Sequence, residues 1–245
     1  MKKSIKFLNS NTLRLIACLL MLCDHLWATI IPGNMWMTWV GRLAFPIFAF
    51  QIAEGFLHTS NFRRYAKRLL IFAIISEVPF DLVYGGSMLY PFHQNVMFTL
   101  LFGLLAVKAL DRAKEKHTLK AVFGGICLAA LCCLGGAITF SDYGALGVLT
   151  VIMFYICRSF PLAWAVQLCF MVVFNMVLFR GEYIPIIIGE HSFEFQTQGF
   201  AAFALIPIWL YNGKKGVSSK ALQYAFYAFY PLHLLVLYLL HTYVC

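Results

Sequence analysis

The stretch GRLAFPIFAFQIAEGFLHTSNFRRYAKRLLIFAIISEVPFDL, residues 41–82, decides the fold. Two apolar runs flank a short segment that holds Arg63, Arg64, Lys67 and Arg68. Each run approaches the ~20 residues that an α-helix needs to cross the hydrocarbon of a bilayer. Each also carries charges where lipid should exclude them: Arg42 and Glu54 in the first, Glu77 and Asp81 in the second. The pattern reads as two membrane helices joined by a basic cytosolic turn.

The rest of the chain repeats this pattern. Of 245 residues, 62% are hydrophobic and 12% charged. A soluble domain carries about 25% charged residues to cover its surface. With a mean hydropathy of +0.79, the chain has lipid as its solvent. Apolar stretches recur at 13–31, 36–57, 66–84, 95–110, 119–138, 143–158, 160–180, 197–211 and 221–243. The expected fold is an all-α polytopic membrane helix bundle of about nine transmembrane helices, a single transmembrane domain over residues 1–245. The N-terminus is basic and then apolar but lacks a small-residue cleavage site, so it reads as an uncleaved first helix.

The net charge of +9 could suggest a nucleic-acid partner. The basic residues instead sit in short runs between apolar stretches, the placement that sets membrane orientation. All but Arg42 and Arg180 of the 19 Lys and Arg residues fall on alternate connecting segments. One such segment, Lys2 to Arg14, precedes helix 1, and Arg158 separates helices 6 and 7. The opposite segments hold Asp142, Glu182, Glu190 and Glu194. This alternation predicts a cytosolic N-terminus and an outer C-terminus. The eight cysteines form no CxxC pair and no zinc-like spacing, so no metal is expected.

Five charges remain within the spans: Asp24, Arg42, Glu54, Glu77 and Asp81, joined by His25 and His233. A charge at mid-bilayer costs on the order of 3 kcal/mol even on the lenient insertion scale, so such residues mark a cavity, a partner or a substrate. Helical rise places His25, Arg42 and Glu77 roughly 10 Å beneath the outer surface, and Asp81 roughly 4 Å beneath it. Asp24, Glu77 and Asp81 compete there to pair with Arg42. A second group gathers at the cytosolic mouth: Arg14, Glu54, Arg63, Arg64, Lys67 and Arg68. Plainer readings stand beside these. Arg14 is also an ordinary basic flank, Arg42 a packing ion pair, and Glu54 a water-facing residue. His58, His117 and His241 read as solvated helix ends.

The segments LIACLLMLCDH (15–25), GRLAFPIFAFQIAEGFLHTSN (41–61), RLLIFAIISEVPFDL (68–82), NVMFTLLFGLLA (95–106), DYGALGVL (142–149) and YNGKKG…FYAFYPLHLLVLYL (211–239) together resemble the TraX family. The likeness covers most of the chain, with the motifs in the family's order. It implies acetyl-CoA-dependent acetylation of a pilin N-terminus at the bacterial inner membrane. Arg14 and His25 also have the R-x10-H spacing of the acyltransferase-3 family. The chain departs from those relatives at Arg42, where they carry an acidic residue.

The residues suit that chemistry. Arg14, Arg63, Arg64, Lys67, Arg68, Lys214 and Lys215 form a cytosolic basic set fit for the phosphates of coenzyme A. His25 suits a general base, because imidazole accepts a proton near neutral pH. Asp24 or Glu77 could orient the ring, and Arg42 or Asn95 could polarise the thioester carbonyl. Asp81, Glu54 and His233 read as supporting or substrate-contacting residues. Membrane lipid is one partner. The acceptor stays open between a pilin-like protein, a glycan and a lipid. Two other classes compete: a transporter with a buried charged path, and a non-catalytic membrane assembly protein.

Overall fold

A computed structural model of the chain describes residues 6–158, 160–179, 181–189 and 191–244. Lys2, Lys3, Arg180, Glu190 and Cys245 lie outside the described residues. The chain is mostly helical, and a helical element occupies each of the apolar stretches. Among the described residues, four helical segments are long and apolar enough to cross a membrane: Ser10–Thr29, Met35–His58, Leu119–Ile138 and Lys220–Tyr243.

Contacts divide the chain into two compact units. The first comprises residues up to Ile47 together with Ser159–Ser218. In it, α1 (Ser10–Thr29) packs on α2 (Met35–Gly41). Asn9 caps α1 by accepting from the Thr12 amide at 3.0 Å. The Ser10 and Asn11 amides, which a helix start leaves unpaired, donate to the Lys214 and Lys215 carbonyls at 2.9 and 3.3 Å. That pairing fixes the 212–218 segment on the start of α1. Gly41 sets the spacing of α1 and α2, since a Cβ there would lie 2.4 Å from Asp24 Cβ.

The expected helix over 36–57 is interrupted. α2 ends at Gly41 and α3 (Ala44–His58) begins after a turn at Arg42–Leu43. Pro46 explains the break, because it has no N–H to return to the Arg42 carbonyl. Further along this unit, α8 (Ala163–Val173) runs into a π-helical turn at Phe174–Leu178. The segment 181–196, expected as a loop, instead forms an antiparallel ribbon of β1 (Tyr183–Ile188) and β2 (His191–Gln196). Gly189, at φ +62°, supplies the left-handed turn residue between the strands. A 3-10 helix (Thr197–Ala204) and α9 (Leu205–Trp209) follow.

The second unit comprises Phe48–Arg158 and Ser219–Cys245. α5 (Val96–Lys116) packs on α4 (Phe62–Tyr84), α6 (Leu119–Ile138) and α7 (Gly144–Cys157), while α10 (Lys220–Tyr243) packs on α4. Ala106, Ala129, Val148 and Ile152 form a core among α5, α6 and α7. Small side chains at such crossings let backbones approach closely, as helix packing in lipid requires.

Candidate functional site

In the first unit the site begins on α1. The buried stripe Leu13, Ala17, Cys18, Met21 and His25 recurs at helical spacing, so the His25 ring lies on the packed face. Asp24, the next residue round the helix, faces α2. Its Oδ1 accepts from Thr38 Oγ1 at 2.6 Å, and its Oδ2 lies 4.0 Å from Arg42 Nη1. Of the three acids that could pair with Arg42, Asp24 does so. Thr38 is fully buried and is a partner that charge counting did not indicate. Arg14 stands three turns before His25, roughly 16 Å away along the axis.

In the second unit α4 carries a polar face near its end. Ser76 and Asp81 are buried there, Asp81 at 2% exposure. Asp81 Oδ2 accepts from the Tyr90 amide at 2.8 Å and so ties down the 85–94 segment. Asn95 is fully buried and caps α5. It donates to the Ala73 carbonyl at 2.9 Å and to Glu77 Oε2, and it accepts from the Met97 amide at 3.0 Å. Both of its amide protons are thus engaged, and its role is to hold Glu77 and join α4 to α5. His93, just before that cap, lies 3.9 Å from Asp142 Oδ1. Asp142 raises the imidazole above its usual pKa, against the lowering effect of partial burial. Asp142 also accepts, through its carbonyl, from Thr99 Oγ1. His233 is buried on α10, with its Nδ1 2.8 Å from the Phe229 carbonyl and its ring stacked on Phe229.

Glu54, at 7% exposure, anchors another cluster of this unit. Its Oε2 accepts from Arg158 Nη1 and its Oε1 pairs with His58 Nε2, both at 2.9 Å. His58 is an exposed helix end, as expected, and has an acidic partner besides. Arg158, which served only to mark topology, has a structural role. Nearby on α5, Asp111 accepts from Tyr155 Oη at 2.8 Å and Lys108 Nζ at 3.3 Å. Arg63, Arg64 and Lys67 project from the first turns of α4 and are exposed, while Arg68 lies 5.9 Å from the Tyr65 ring.

Sequence reasoning also passed over uncharged amides in the first unit. Gln198 Nε2 donates to Asn175 Oδ1 at 3.3 Å, and Trp209 Nε1 donates to Gln167 Oε1 at 2.8 Å. All three amide residues are buried. Their signal was present as polar side chains inside apolar runs, which lipid disfavours as it does charges. Among the described residues, no three His, Cys, Asp or Glu side chains group to hold a metal.

Apolar helices of membrane-crossing length, with charged residues packed between them, define an integral membrane protein. The chain belongs to the TraX protein family, whose pattern matches residues 9–241. It is 27% identical to the probable fimbrial assembly protein FimC, serogroup H1, of Dichelobacter nodosus, over 97% of each chain. No solved structure matches it.

Proposed function

We propose that the protein is an acetyltransferase of the bacterial inner membrane that moves an acetyl group from cytosolic acetyl-CoA to an acceptor on the outer side. The supporting observation is the Asp24–Thr38–Arg42 set, whose Asp24 neighbours the buried His25 on α1. A buried imidazole and a salt-bridged cation within one unit suit an acyl-transfer centre. Nine spans, with the N-terminus cytosolic and the C-terminus outside, accommodate the basic segments on one side.

His25 takes a proton from the acceptor amine or hydroxyl as its nitrogen or oxygen attacks the thioester carbonyl. Arg42 stabilises the developing oxyanion. The carbon–sulfur bond then breaks and coenzyme A leaves as a thiol, with the proton from His25. Arg14, Lys214 and Lys215, grouped where the Ser10 and Asn11 amides hold the Lys214 and Lys215 carbonyls at the start of α1, serve the phosphates of coenzyme A. In the second unit, Asn95 holds Glu77, and Asp81 and His233 are buried. Glu54 holds the helix ends through Arg158 and His58. Kinship with acyltransferase-3 proteins, argued from Arg14 and His25, belongs to the same reading.

The test uses purified protein in nanodiscs with labelled acetyl-CoA. Thioester loss should depend on added acceptor, and label should appear on that acceptor. No loss with amine, glycan or lipid acceptors would remove the reading. The relative's name favours one other role, fimbrial assembly without catalysis. It predicts that exchanging Asp24→Arg with Arg42→Asp retains function. The transfer reading predicts a folded but inactive protein.

A further inference from the structure

The β-ribbon at Tyr183–Gln196 has no place in the transfer chemistry, and its composition is unusual for a helical membrane protein. Free strand edges cannot lie in hydrocarbon, where unpaired N–H and C=O groups have no partner. The ribbon must therefore sit in water or among head groups. Yet Ile186 and Phe193 pair across one face at 41% and 57% exposure, and Tyr183 and Ile187 stand on the other at 54% and 74%. The base is pinned: Phe195 packs edge-on against Phe200 at 5.2 Å, and the Thr197 amide donates to the Glu182 carbonyl at 2.9 Å. Among the described residues, the apolar side chains nearer the turn, Ile186, Ile187 and Phe193, have no such cover.

The two edges differ. Pro185 has no N–H, so its pair with Glu194 is a non-hydrogen-bonded one, which fits the two-residue turn after Ile188. The outward edge of β1 consequently lacks a donor at its centre, which blunts it against pairing. The outward edge of β2 offers the N–H and C=O groups of Ser192, Glu194 and Gln196. No further strand pairs with it among the described residues.

Charge selects what could pair there. Residues 181–196 contain Glu182, Glu190 and Glu194 and no Lys or Arg. Interfacial elements that bind lipid use cationic side chains against anionic head groups, so a membrane surface fits poorly. A second copy docked on the same edge would bring Glu194 against its twin, and like charges across strands destabilise pairing. We infer that the β2 edge captures an extended, apolar, amine-bearing or basic peptide segment by strand addition, with Glu194 facing its cation. The capture itself stands apart from the acetyl-transfer reading, on which only the fate of the captured chain rests.

The test places a photo-crosslinking benzoylphenylalanine at Phe193 in the full chain, in nanodiscs of phosphatidylcholine and phosphatidylglycerol. The probe is a ten-residue peptide of alternating valine and lysine with a free N-terminus. It should crosslink about tenfold more than a valine–glutamate peptide, and Glu194→Lys should reverse that preference. A valine–lysine peptide N-methylated at every residue should not be captured, a control that leaves the protein untouched. Equal capture of the peptides, capture of the N-methylated one, or label going to lipid or to a second copy would overturn the inference. Thioester loss is followed in the same samples. Capture without acetyl-CoA consumption upholds the ribbon and removes the transfer reading. Acetylation of a small amine without capture does the reverse.

Discussion

Glu54 shows how one buried carboxylate is made tolerable. Its partners include Arg158 and His58, each at 2.9 Å. Arg158→Ala removes the guanidinium and leaves the exposed His58 imidazole in place. The loss should be about 2 kcal/mol, below the figure for a fully buried pair because Arg158 is half exposed. Thermal unfolding in detergent measures it. His93 and Asp142 give a pH-dependent counterpart. A raised folded-state pKa means that the stabilisation is fully present below the unfolded value, about 6.5, and is lost as pH rises through the folded value. Asp142→Asn should therefore lower the melting temperature more at pH 5.5 than at pH 8.5. At this scale the sequence revealed the charges but only some of the pairs. Asp24 and Arg42 stood out because both lie in apolar runs. Arg158 was hidden among residues that mark topology, and the amides of Asn175 and Gln198 carry no charge to notice.

Among the elements, Gly41 and Pro46 act on the same few residues. Gly41 lets α2 approach Asp24, and Pro46 opens the helix at Arg42, between Thr38 and the start of α3. Gly41→Ala should displace α2, lengthen the Thr38–Asp24 hydrogen bond and cost about 2 kcal/mol, the usual penalty of overpacking. The melting temperature reports the cost. Helices were legible because apolar runs of spanning length leave few alternatives. The break at Arg42–Leu43 was not, although Pro46 announced it. The ribbon was missed for a different reason. The run YIPIII lacks the polar alternation of an exposed strand, and three nearby acids made the segment look like an ordinary loop.

For the whole molecule, the alternation of basic segments makes a claim that helix positions alone do not. In a background without native cysteines, an impermeant maleimide applied to intact cells should label Ser192→Cys and leave Arg64→Cys unlabelled. The reverse pattern, or labelling of both, would break the nine-span topology. The family likeness was legible because six motifs spread over most of the chain, from 15–25 to 211–239, keep their order. The division into two units was not, because residues Ser159–Ser218 join the N-terminal segment across more than 100 intervening positions. The central claim is that His25 drives acyl transfer. Its most direct test is the acetyl-transfer rate of His25→Ala protein whose melting temperature and helical content match the parent. We predict a rate at least 100-fold lower, the usual contribution of a general base. A folded His25→Ala protein transferring acetyl at the parental rate would contradict the account.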